Sequence, residues 1–154
     1  MPKISRKAST TLSFLFAILF LLVLALMAVA LPFLAAKTVP NPETVSLFGL
    51  RGRLLTMIAG YIGIAIGIYA DITLLFLLHS VRRERVFTHY CVALLRSLSW
   101  CCMGEALVFL TLGALYIVAL FISFIALLVG LCMRVVKNVF EQAVAMKEEN
   151  DLTV

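Results

Sequence analysis

Residues 90–133 read YCVALLRSLSWCCMGEALVFLTLGALYIVALFISFIALLVGLCM, 44 positions broken by two charges, Arg96 and Glu105. A bilayer core about 30 Å thick takes ~20 apolar residues as a helix. The run is too long for one crossing and just long enough for two joined by a tight turn. The turn is expected near Thr111 to Tyr116, around Gly113. Working outward, Leu12 to Ala36 carries no charge and is broken only near its end by Pro32, and Leu54 to His79 is interrupted only by Asp71. Four spans follow, at about 12–36, 54–79, 90–112 and 116–135. Composition agrees: of 154 residues, 64% are hydrophobic and 14% charged, where a soluble domain has roughly 45–50% and about 25%. A chain this small cannot bury such an excess in one core. A soluble domain, a disordered chain and a nucleic-acid-binding domain are thereby disfavoured, and the expected fold is all-α and polytopic, a single domain embedded in the lipid bilayer.

Charge sets the orientation. Lys3, Arg6 and Lys7 precede the first span, Arg82, Arg83 and Arg85 separate the second from the third, and Arg134, Lys137 and Lys147 follow the fourth. These nine face Lys37, Arg51 and Arg53 on the other side. The positive-inside rule puts both termini in the cytoplasm and the protein in a plasma membrane. Met1 to Ala30 also resembles a secretory signal, with Ala28-Val29-Ala30 as a small-x-small site, but the apolar run continues through Leu31, Phe33 and Leu34 and is expected to stay as a span. The loop from Lys37 to Arg53 begins Pro40-Asn41-Pro42, which favours extended or turn backbone, and reads as a short interfacial connector.

Ionisable residues inside a membrane are costly and mark pairing or function. Asp71 lies eight residues before His79, ~12 Å deep, and Arg96 six residues after Tyr90, ~9 Å deep. Similar depth on antiparallel neighbours predicts an Asp71–Arg96 ion pair that fixes helix register. Glu105, nine residues beyond Arg96, faces the opposite side of its helix. It is expected to be protonated or to meet Arg51 or Arg53. Its depth resembles that of the carboxylate in four-helix multidrug exporters, which carry theirs in the first helix, where this chain has none. Gly60, Gly63 and Gly67 mark close helix packing, and the Gly63–Gly67 pair has the GxxxG spacing. Packing within the chain is the expectation, with a homodimer as the alternative. Cys91, Cys101, Cys102 and Cys132 lie in or beside apolar runs without CxxC spacing and read as small packing residues. His79 and His89 end the second cytoplasmic loop as interfacial polar residues. No catalytic, metal-binding or cofactor-binding motif appears, so no enzyme and no cofactor is expected.

After Arg134 the apolar positions Val135, Val136, Val139, Phe140, Ala143 and Val144 recur at helical spacing. The fourth helix is expected to extend over 136–154 as a cytoplasmic amphipathic helix. Its acidic end would pair with Arg82, Arg83 and Arg85 or dock a cytosolic partner. Phe140-Glu141-Gln142-Ala143, followed by Glu148-Glu149-Asn150-Asp151-Leu152-Thr153-Val154, resembles the closing motif of a bacterial family known as domain of unknown function 2975. Val86-Phe87-Thr88 leading to Leu94-Leu95-Arg96-Ser97-Leu98 resembles the start of that family's third helix. The resemblance implies a four-helix membrane protein without assigned activity, often encoded beside a small helix-turn-helix DNA-binding protein. The expected function is therefore to bind or sequester such a regulator through Arg82, Arg83, Arg85, Glu141, Glu148, Glu149, Asn150, Asp151 and Leu152, with no direct contact to nucleic acid. The alternative is a small transporter or channel component using Asp71, Arg96 and Glu105.

Overall fold

The computed structural model describes residues 6–38, 46–47, 50–83 and 88–152, and side chains within 11–37, 52–83 and 88–150. Four helices dominate: α1 Arg6–Thr38, α2 Gly52–Arg82, α3 His89–Gly113 and α4 Ile117–Leu152. Each holds an apolar window long enough to cross a membrane. Between α1 and α2, the strands β1 Ser46–Leu47 and β2 Leu50–Arg51 pair antiparallel, Ser46 opposite Arg51 and Leu47 opposite Leu50. That small ribbon stands where sequence suggested an irregular connector. The prolines expected to shape the loop's first half lie outside the described residues.

Local chemistry sets the helix ends. Thr88 is extended at φ −138° and ψ 150°, and its side chain accepts from the Cys91 N–H at 3.4 Å, an N-cap of α3. The α3–α4 turn occupies Ala114 to Tyr116, where the Leu112 carbonyl accepts from the N–H groups of Leu115 and Tyr116, both at 2.9 Å. Pro32 lies inside α1 and removes one backbone donor there, a loss that membrane helices tolerate when neighbouring groups compensate.

The helix backbones approach one another in chain order, α1 on α2, α2 on α3 and α3 on α4, with no close backbone approach between non-consecutive helices among the described residues. At the first contact, Leu31 and Leu24 of α1 lie over Gly60 and Gly67 of α2. Both pairs are one heptad apart, so two leucine knobs enter two glycine gaps on one seam. At the last contact the bonds are polar and reciprocal. Ser99 of α3 donates to the Gly130 carbonyl of α4 at 3.2 Å, and Ser123 of α4 donates to the Ala106 carbonyl of α3 at 2.6 Å. A small apolar core of Ala59, Leu112 and Ala119 closes the end near the α3–α4 turn. Most large apolar side chains, Phe16, Val29, Phe33, Phe121 and Phe124 among them, point outward. On a soluble protein such a surface would aggregate; around four spanning helices it is the face presented to lipid.

Gly130 sits at a close approach on the α3–α4 seam. A Cβ there would meet Cys102 Cβ at 3.2 Å, Met103 Cγ at 3.3 Å and the Met103 backbone nitrogen at 3.5 Å. A Cβ on Gly104 would meet only Ile66 Cδ1, at 3.5 Å. Gly130→Leu is therefore expected to cost about 1–3 kcal/mol by overpacking and to lower the melting temperature in detergent. Gly104→Ala should leave it close to wild type.

Candidate functional site

Charge within the spans gathers on two faces. The first is the glycine face of α2. Gly63, Gly67 and Asp71 follow at intervals of four and share one side of the helix. Glu105 of α3 lies over it: Glu105 Oε2 is 3.4 Å from where a Gly63 Cβ would sit, and Oε1 is 3.6 Å from that of Gly67. Leu24 of α1 approaches the same Gly67 position to 3.4 Å, so three helices converge on a residue with no side chain. The glycines thus serve packing inside the chain, with Val108 also against Gly63. Among the described residues Glu105 forms no ion pair. Arg53 is exposed, and the Arg51 side chain lies outside the described residues.

Asp71, one turn below Gly67, is 3% exposed, and its Oδ2 has no hydrogen-bond partner. The nearby Thr73 hydroxyl is spent on the Tyr69 carbonyl at 2.8 Å. The expected Asp71–Arg96 ion pair is not formed. Arg96 turns to Glu141 Oε1 of α4 at 3.6 Å. The depth argument behind that expectation ignored azimuth. Glu105 points to the α2 glycine face that carries Asp71, and Arg96, nine residues away on α3, projects from the other side.

The second face lies at the basic end of the molecule. Glu141 pairs with Lys137 one turn earlier on α4 and with Arg96 on α3. Glu148 meets His89 Nε2 at 2.8 Å. Glu141 and Glu148 thus bind α3 and α4 itself, and neither pairs with Arg82 or Arg83, which are exposed. Arg85 lies outside the described residues. Glu149 and Asn150 are exposed on the last turns of α4; the side chains of Asp151 and Leu152 lie outside the described residues, although their backbone is helical. Sequence reasoning missed His89 as a partner for the tail. It also missed Arg134, whose guanidinium carbon stands 5.3 Å from the centroid of the Trp100 ring. All four cysteines are free. No group of three or more metal-ligating side chains forms among the described residues.

A family model described as Protein of unknown function (DUF2975) matches residues 27–154. The chain belongs to this family. The match covers α2, α3, α4 and α1 from Met27 onward, which includes Leu31 but not Leu24. No curated protein and no solved structure matches it. This DUF2975 member is a bacterial, multi-pass integral membrane protein with a four-helix, membrane-spanning architecture.

A buried polar atom without a partner costs roughly 1–3 kcal/mol. Asp71→Leu, close to isosteric, is expected to recover part of that and raise the melting temperature of the purified protein. A fall instead would reveal a partner that the carboxylate holds.

Proposed function

We propose that this protein is a regulatory membrane protein whose basic end binds a small cytosolic helix-turn-helix DNA-binding protein. The single observation that supports this most is the length of α4. Thirty-six residues make a helix of ~54 Å against a hydrocarbon core of about 30 Å. Roughly sixteen residues of helix therefore continue past the span, on the side of Arg82, Arg83 and His89. The excess of Lys and Arg at that end assigns it, and both termini, to the cytoplasm. On this amphipathic extension Val139 and Met146, one heptad apart, are both exposed. An exposed apolar line on a helix outside the bilayer suits docking into a partner's groove. The carboxylates of Glu148 and Glu149 would face the basic surface that such a regulator otherwise presents to phosphates. Switching the partner from mostly bound to mostly free needs about 5.5 kcal/mol of differential binding, within reach of several charged contacts acting together.

The test is a mild-detergent pull-down from native cells, run with the full chain and with a variant ending at Lys147. A small DNA-binding protein should co-purify with the full chain and be lost from the variant. Bait alone in both samples overturns the reading.

A second reading, a small transporter or channel component, gains support from Asp71. Free of Arg96, it joins Glu105 as a second unpaired carboxylate on the α2 glycine face. In that case Glu105→Gln and Asp71→Asn, reconstituted in vesicles with a pH-sensitive dye inside, should each lower proton flux at least ten-fold and leave the pull-down unchanged. Equal flux in wild type, variants and empty vesicles sinks it.

A further inference from the structure

A groove of about 560 Å³ runs between α2 and α3, lined by Ala65, Ile66 and Tyr69 on one side and by Arg96, Trp100 and Gly104 on the other. It lies off the α2 glycine face, since Ala65 and Tyr69 project away from the Gly63–Gly67–Asp71 side of α2, and it shares Arg96 with the second face. Its size falls within the range of small-molecule sites, about 300–1,000 Å³. The groove is graded along its length. Gly104 and Ile66 make the deep end apolar. Eight residues away, ~12 Å along α3, Arg96 makes the other end cationic. Tyr69 and Trp100 are exposed at its rim.

The cationic end has donors to spare. The Arg96–Glu141 separation of 3.6 Å is too long for a hydrogen bond, and Glu141 has Lys137 as its nearer partner. The Arg134 guanidinium carbon stands 5.3 Å from the Trp100 ring centroid, and Arg134 forms no ion pair among the described residues. Two guanidiniums thus flank one indole, and Lys137 stands close by against a single carboxylate, Glu141. A planar fork of N–H groups recognises phosphate oxygens, and basic pockets between membrane helices on the cytoplasmic side take anionic headgroups. An anion alone would leave the apolar length of the groove unused, and a zwitterionic lipid would leave the charge unmatched.

We propose that this groove is a binding site for an anionic phospholipid, with one acyl chain lying between α2 and α3 and the phosphate on Arg96 and Arg134. The headgroup replaces Glu141 at Arg96, and Glu141 stays with Lys137. The site stands apart from the regulatory reading and does not depend on it.

Trp100 is the chain's single tryptophan and lines the groove, so its fluorescence reports occupancy directly. The full chain is reconstituted in phosphatidylcholine vesicles containing a small fraction of brominated phosphatidylglycerol or, in parallel, brominated phosphatidylcholine. The anionic lipid should quench Trp100 with an apparent affinity about five-fold higher. Arg96→Gln should bring the two lipids towards parity, and Arg96→Lys should retain part of the preference. Ala65→Phe, which fills the groove without changing charge, should also abolish the preference. Equal quenching by the two lipids in the wild type overturns the proposal. So does a preference that survives Ala65→Phe, which would reduce it to attraction at the surface. Loss of the preference on adding inorganic phosphate at constant ionic strength would assign the site to the free anion and overturn it equally. Each variant's elution profile and melting temperature are compared with wild type, and Arg134→Gln carries the charge test if Arg96→Gln does not fold.

Discussion

Two serine hydroxyls, each donating to a main-chain carbonyl of the opposite helix, hold α3 and α4 in register. Ser99 reaches Gly130 and Ser123 reaches Ala106, and on both helices the two positions are one heptad apart. In hydrocarbon there is no hydrophobic drive to bring helices together, so association depends on close packing and such interhelical bonds. A bond of this kind averages only about 0.6 kcal/mol, but its value here is positional. With α3 fixed in height and rotation against α4, every other α3 side chain has its place assigned. Cys91, Leu95, Leu98 and Ala106 are buried, Glu105 turns to α2, and Arg96 and Trp100 turn to the face where Arg134 and Glu141 stand.

The same constraint explains how the intramembrane charges divide. Arg96 has a long stem, and a guanidinium gains by climbing toward the polar boundary while its methylenes stay in lipid. Glu141 stands at that boundary; Asp71 does not. A buried pair would have desolvated both ions, and the attraction between them does not reliably offset that cost. The acidic residues of α2 and α3 are thus left on the glycine face, and the basic residues of α3 and α4 gather at one end. This separation of sign along the helices, rather than any single pair, gives the molecule its electrostatic character.

Much of this was legible in the sequence, and what was not has a common cause. Hydropathy and the 44-residue apolar run sufficed for the number of spanning helices, because the bilayer imposes a length that composition reveals. Motifs at Phe140–Ala143 and at the chain's end sufficed for the family. Placing charges within the spans by counting residues addressed depth alone, and it went wrong for Asp71 and Arg96 as partners, which depends on rotation about the helix axis. The clue was present: Gly63, Gly67 and Asp71 share a face, and Arg96 and Glu105 do not. Yet nothing in one sequence says which face of α3 meets the glycines. Ser99 and Ser123 carried no signal of their own, since a serine that bonds a neighbouring carbonyl is spelled like one that bonds its own helix, as Ser80 does to Phe76. His89 as a partner of the tail was not legible either: the charge of the basic loop favoured Arg82, Arg83 and Arg85, but α4 descends beside α3, and His89 meets Glu148 while Arg96 meets Glu141.

Packing in strict chain order has a consequence for how the molecule is made. Each helix finds its neighbour among the residues synthesised immediately before or after it, so no segment must wait for a distant one. Contacts of short sequence separation carry little loop-closure entropy and form quickly. Assembly can therefore proceed as the chain leaves the ribosome: α2 settles on α1 while α3 is still emerging, and the serine-bonded hairpin is completed last. A chain built this way asks no helix to wait for a distant partner, and its final helix is the one whose arrival brings the polar tail into place.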